Sequence, residues 1–252
     1  MQFALVDNQR KEAEHGEKGI CPLCLQPVIA KCGKIKVNHW AHKSNAKCDS
    51  WSEPETEWHR TWKNNYPTDW QEKIMHDEKT NEKHIADVCT QDNLVIEFQH
   101  SPIKDEERIS REQFYKNMIW VVDGTRLKKD FSRFIGSETD RSRYKGKEDM
   151  FLIHSPERYF PSSWVESYVP VVFDFKGVEE VCDKEDARNY IYCLFPLRAI
   201  DEWFSKQSQR YKGAIFAKMS RNSFISATKN GDWCKRISKF MDSDSSFVHN
   251  NR

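Results

Sequence analysis

Residues 83–100 read as two strands, KHIADVCT and LVIEFQH, held apart by the turn-forming triplet Gln91, Asp92 and Asn93. A helical pattern follows from about Asp105 to Asn117, and then a short apolar strand, IWVVD, from Ile119 to Asp123. A strand, a helix and a second strand in that order form a right-handed crossover with the two strands parallel. The chain must therefore build an α/β fold with a mixed sheet, a hairpin plus a parallel partner, flanked by helices. Further on, FLIH, VPVVFDF and NYIYCLF read as three more strands, and LRAIDEWFSKQ as an amphipathic helix.

The hairpin also carries the most pointed chemistry. If Gln91, Asp92 and Asn93 form a three-residue loop, Thr90 pairs with Leu94 and Asp87 falls opposite Glu97, both on one face. A two-residue loop shifts the register by one and sends them to opposite faces. Like charges directly opposite destabilise a hairpin unless something positive sits between them. A hard divalent cation suits two carboxylates, and phosphodiester hydrolysis is the chemistry that uses one. Gln99 shares that face and is placed to orient an attacking water, while Leu94, Ile96 and Phe98 turn into the core.

Ahead of the hairpin, Ser52 and Glu55 make a Ser-x-x-Glu capping box, so a helix is expected from Ser52 to about Pro67. On it Trp58 and Trp62 form a buried stripe, and Glu55, His59 and Lys63 a second stripe at the same spacing. As part of the box, Glu55 has the alternative of bonding the Ser52 amide. On the following helix Arg111 and Tyr115 are four apart. They read as a phosphate clamp or as an Arg stem packed on a ring.

Four of the eight Cys, namely Cys21, Cys24, Cys32 and Cys48, crowd into one short stretch, where Cys21-Pro-Leu-Cys24 is followed by His39-Trp-Ala-His42. In a chain without an export signal such crowding indicates metal before disulfides. Cys21, Cys24, His39 and His42 supply a tetrahedral structural zinc set. The His-x-x-His gap is one residue short of the usual minimum, and Cys32 and Cys48 are spare, so the fourth ligand stays open. Residues 19–48 hold too few apolar side chains to fold without the metal.

Composition separates the remaining classes. Aromatic residues make up 13% of the chain, which excludes disorder for most of it despite a mean hydropathy of −0.84. No apolar run approaches a membrane span or a signal peptide, so a soluble, cytoplasmic protein without membrane contact is expected. The net charge of +1 conceals local basic stretches. From Lys31 to Lys47 there are five Lys and no acid, and from Lys206 to Lys239 nine bases face Asp232 alone. Such stretches suit contact with a polyanion, or are solvated faces of ordinary helices.

The run ADVCTQDNLVIEFQHSPI, then Arg111-x-x-x-Tyr115 and IWVVD, together with CPLC and HWAH, resembles the competence protein CoiA-like family, a branch of the PD-(D/E)xK nuclease superfamily. The likeness covers roughly residues 20–124. It implies a restriction-endonuclease-like fold in which Asp87 and Glu97 hold Mg2+ or Mn2+. It also implies Glu55 as a third carboxylate, and puts Gln99 where many members have Lys, with Lys63 as a spatial substitute. Ala86 stands where the superfamily name expects Pro.

The expected organisation is a zinc-finger-like module over 1–50, a nuclease-like core over 51–180 and a basic helical extension over 181–252. The expected activity is Mg2+-dependent hydrolysis of DNA, with a non-catalytic DNA-binding adaptor or a defence nuclease as alternatives. A recombination or defence protein is a conceivable partner, and oligomeric state is not readable.

Overall fold

The computed structural model describes residues 1–43, 48–144, 147–196, 214–233 and 235. Two sheets account for most of it. The first is antiparallel, in the order β2-β1-β3-β4-β5, and uses β1 (Phe3–Val6), β2 (Gln9–Glu12), β3 (Lys18–Ile20), β4 (Pro27–Lys31) and β5 (His39–His42). Its core is small, built on Ala4, Ala13, Cys21, Val28 and Trp40, as the shortage of apolar residues requires.

The second sheet has nine strands. These are β6 (Gln71–Asp77), β7 (Glu82–Cys89), β8 (Val95–Gln99), β9 (Met118–Asp123), β10 (Arg141–Arg143), β11 (Met150–Ile153), β12 (Val171–Asp174), β13 (Tyr190–Pro196) and β14 (Ala214–Ser220). Their order is β10-β11-β14-β13-β12-β9-β8-β7-β6. β9 is parallel to β8 and to β12, and the other pairs are antiparallel, so the expected mixed α/β sheet is present. The crossover helix α2 (Asp105–Tyr115) joins β8 to β9. Further helices among the described residues are α1 (Glu57–Lys63), α3 (Lys128–Ile135), α4 (Ser162–Val165) and α5 (Arg221–Lys229). Among the described residues no helix is long and apolar enough to cross a membrane.

The turn has three residues. Thr90 N–H donates to the Leu94 carbonyl at 2.9 Å, Val88 stands opposite Ile96, and Asn93 takes the left-handed conformation at φ 56° that closes such loops. Leu94, Ile96 and Phe98 enter one apolar core with Trp58 and Trp62. Both indole N–H groups donate to Asp174 Oδ2, at 2.9 and 3.0 Å, which ties α1 to the end of β12.

Two expectations change. The capping box sits one turn later than Ser52: Thr56 Oγ1 accepts from His59 N–H, and Thr56 N–H donates to the His59 ring. Pro54 explains the shift, because it disfavours helical backbone at Glu53. Ser52 instead donates to the Asp49 carbonyl, and the helix stops at Lys63, short of Pro67. The helical extension over 181–252 is also corrected. β13 and β14 lie inside the large sheet, between β11 and β12, so the core does not close at residue 180. The amphipathic helix expected at LRAIDEWFSKQ and most of the last basic stretch lie outside the described residues.

Candidate active site and metal cluster

The two sheets meet over a cavity of about 450 Å3. One wall carries His39, His42 and Cys48 of the first sheet and its following loop. The other carries Glu53, Glu55, His59, Asp87, Glu97 and Arg111. At its floor the β7–β8 ladder ends at Val88 and Ile96, and side chains take over. Asp87 N–H donates to Glu97 Oε1 at 3.1 Å, and Phe98 N–H donates to Asp87 Oδ2 at 2.9 Å. The two carboxylates thus lie side by side, Asp87 with a quarter of its side chain exposed and Glu97 with 5%.

Their charges are poorly accommodated. Burial and the Asp87 charge push the Glu97 carboxyl up to about 8, against the opposing pull of Arg111. Burial raises Asp87 too, although Lys63 and His59 work the other way. Two carboxyls that resist ionisation side by side, with oxygens facing a cavity, are the donor set a hard divalent cation takes. The residues present therefore fit Mg2+ or Mn2+.

The other expected site residues are placed as follows. Glu55 lines the cavity, but from the loop before α1, with Lys63 Nζ at 2.8 Å. Lys63 is 1% exposed and held by Glu55, by Glu72 at 3.2 Å and by Asp87 at 3.9 Å. Burial opposes its charge, but these three carboxylates outweigh it and raise its pKa. It does not line the cavity, so its ammonium neutralises carboxylates and is not offered to water there.

His59 does line the cavity, with its Nε2 at 2.6 Å from Glu53 Oε1 and Nδ1 at 2.7 Å from Thr56 Oγ1. Burial lowers its pKa, but Glu53, Asp87 and Glu55 raise it further. Gln99 is turned away. It is buried, donates to Glu53 Oε2 and the Ser101 carbonyl, and lies outside the cavity wall, so the expected water-orienting role does not match its position.

Arg111 donates to Glu97 Oε2 at 3.1 Å and also to Glu107 and the Trp51 carbonyl. Its guanidinium faces the rings of Trp51 and Trp120. Tyr115 has a buried hydroxyl with no hydrogen bond among the described residues and does not reach the cavity. Arg111 is therefore not a free phosphate clamp, its guanidinium being engaged by Glu97, Glu107 and the Trp51 carbonyl. Arg111 acts as the counter-charge of Glu97.

Three carboxylates that sequence reasoning missed complete the surroundings. Glu53 accepts from the His100 and Ser101 amides and from His59; together these overcome its burial and hold its carboxyl at about 2. Glu72, at φ 45°, accepts the Gln2 and Phe3 amides, and with Lys63 these offset burial and hold it at about 2. Asp49 accepts from Ile85 N–H and faces His84 Nδ1 at 2.9 Å. Only their proximity in space reveals them, because none has a regular spacing to Asp87.

The cysteine cluster differs from its expected form in one ligand. Cys21, Cys24, His42 and Cys48 bring one ligand atom each within 4.8 Å of one another. Cys21 and Cys48 Sγ are 3.7 Å apart, and two thiolates about 2.3 Å from a tetrahedral ion stand about 3.8 Å apart. His39 is outside the group, with its Nδ1 facing the Val37 carbonyl at 2.9 Å. The reason is that HWAH is a strand, in which positions three apart point to opposite faces. Cys32 is spent on the Ala13 carbonyl, and Cys48 takes the fourth place. Zinc is the metal this Cys3His set suits.

A mixed sheet with a carboxylate hairpin at its floor, joined to a small Cys/His module, defines a nuclease-like α/β protein. Residues 5–50 match the family model of the competence protein CoiA, N-terminal domain, and residues 77–158 that of the competence protein CoiA, nuclease-like domain. The two matches occur in order and together span about half of the chain, which belongs to the CoiA-like family. No curated protein and no solved structure matches.

Proposed function

We propose that this protein is a metal-dependent nuclease that hydrolyses DNA phosphodiester bonds, with Asp87 and Glu97 as its metal-holding pair. The observation that carries the reading is the pairing of these two carboxyls at the floor of a cavity, with apolar β8 residues behind them. When bound, a divalent ion supplies a polarised phosphate and a bound water of lowered pKa.

The chain's own residues set up that chemistry. Arg111 fixes Glu97 Oε2, so that Oε1 stays directed at Asp87. Asp87, the more exposed of the two, lines the cavity. Glu55 lines the same cavity, its charge paired with Lys63 and Arg60, and is the carboxylate we assign to take a proton from the attacking water, in place of Gln99 and Lys63. His59, clamped by Glu53, stands beside these acids, which favour its charged form. The zinc cluster shapes the opposite wall through His42 and Cys48. Zinc held there by four protein ligands would have no open position for water, so its role would be structural.

The runner-up is a non-catalytic DNA-binding adaptor of the same fold, favoured by one observation: Glu97 already has an Arg111 partner. Incubation of DNA, linear and circular, single- and double-stranded, with Mg2+ or Mn2+ separates the two. Metal-dependent cleavage lost in Asp87→Asn supports the nuclease. Binding without cleavage under every metal condition supports the adaptor.

A further inference from the structure

We infer that the strand taken by this site is single-stranded DNA, led to the cavity by the loop between β4 and β5, where Ile35 stands between Lys34 and Lys36. The inference rests on the nuclease reading for the purpose of the cavity, but not for its shape.

The first observation is the roof. The cavity is bounded by the module on one side and the core on the other, and hydrogen bonds along the seam, partly buried at Glu72 and exposed at Arg10 and Arg60, hold the module to the core. Glu72 accepts the Gln2 and Phe3 amides at 2.6 and 3.0 Å while also holding Lys63. Arg10 reaches the Thr68 and Gln71 carbonyls, and Arg60 Nη2 donates to the Asn38 carbonyl at 3.0 Å. Opening the roof would strip the nearly buried Glu72 carboxylate of its two amide partners, which is costly. Glu97 lies beneath this roof with 5% of its side chain exposed. About 450 Å3 accommodates a group of nucleotide size, not a stacked duplex. A phosphate in an intact duplex is backed by its bases and by the second strand, whereas an unpaired strand can be threaded.

The second observation is the loop itself. Ile35 is 97% exposed, the most exposed of the large hydrophobic side chains among the described residues. Its neighbours Lys34 and Lys36 are exposed as well, and Lys36 lines the cavity. The loop lies in the stretch from Lys31 to Lys47 that has no acid. An apolar side chain between two cations suits an unpaired strand: the cations take phosphates and the apolar group contacts a base face. A duplex offers phosphates to Lys34 and Lys36, but Ile35 reaches a base face there only if a base step is prised apart, which costs a few kcal/mol that an unpaired strand does not pay.

The test is binding of full-length protein to one labelled oligonucleotide, single-stranded or as a blunt duplex, without added divalent ion. Single strands should bind roughly tenfold tighter or more. Lys34→Ala combined with Lys36→Ala should reduce the salt slope for single strands by about 1.4, at about 0.7 per phosphate contact. Ile35→Ser should weaken single-strand binding with the slope unchanged. All three positions are exposed, and unchanged thermal melts confirm that folding is intact. Equal or tighter binding of the duplex, or loop variants without effect, would overturn the inference. Turnover is read separately with Mn2+. Cleavage within the interior of the blunt duplex overturns the single-strand inference and leaves the nuclease standing. A strand preference carried by the loop, with no cleavage of any DNA, overturns the nuclease and leaves the inference standing.

Discussion

Asp87 and Glu97 hold each other's strands: the Glu97 carboxylate accepts the Asp87 amide, and the Asp87 carboxylate accepts the Phe98 amide next to Glu97. Each acid therefore has a structural bond as well as a charge. Asp87→Asn keeps an oxygen for the Phe98 amide and removes the like-charge contact. It should melt within about 1 kcal/mol of the parent without metal. The stabilisation that Mn2+ gives the parent by mass action should disappear. Thermal melts with and without Mn2+ check this. A variant that still gains stability from Mn2+ would remove Asp87 from the ligand set.

Cys48 and His39 divide the two possible zinc sets. Cys48→Ser should release the ion and unfold the small sheet, whereas His39→Ala should keep about one zinc per chain. Elemental analysis of protein purified without added metal reads both variants. Zinc lost in His39→Ala and kept in Cys48→Ser would restore the His-x-x-His set.

The Glu97 carboxyl titrates at about 8 in the fold against 4.5 ordinarily. Between those values the folded state binds more protons than the unfolded state, so this group's contribution to stability falls as pH rises through the window. The metal-free protein should lose stability from pH 5 to pH 8 through Glu97, and Glu97→Gln should flatten that slope. Glu53 and Glu72 act in the opposite sense, but only below their ordinary range, where acid removes their contribution. Melting curves across the range test the sign. A parent that gains stability from pH 5 to pH 8, with Glu97→Gln parallel to it, contradicts the assignment.

Lys63→Met should cost about 3–5 kcal/mol, because it leaves Glu72 nearly buried without its lysine and Glu55 with Arg60 alone. Adding Glu72→Gln should return part of that loss, since one of the uncompensated charges is then gone. Denaturant unfolding of both variants measures the coupling. A Lys63→Met protein of parental stability would mean that its ammonium is not a structural counter-charge.

The hairpin and its crossover were legible because they rest on local rules: a triplet of turn residues, alternation along two strands, and the handedness of strand-helix-strand. The start of α1 was misjudged because two caps compete, and the proline between them decides for Thr56. The zinc set failed at His39 for a related reason, since the same His-x-x-His spacing converges on a helix and diverges on a strand. Glu53, Glu72 and Asp49 were invisible. Their roles come from contacts across dozens of positions, such as Glu72 with Gln2, which no periodicity encodes.

The order β10-β11-β14-β13-β12 also bears on how this chain is made. β11 and β12 are synthesised one after the other, yet they are neighbours of β14 and β13, not of each other. Until residues 214–220 leave the ribosome, the growing sheet has a gap between β11 and β13, with those two edges unpaired and open to wrong partners. A chain stopped at residue 180 would carry the whole carboxylate hairpin and still expose two incomplete half-sheets. The nuclease-like core therefore matures late in translation, and a nascent chain holds its acidic residues before it holds a sheet rigid enough to align them.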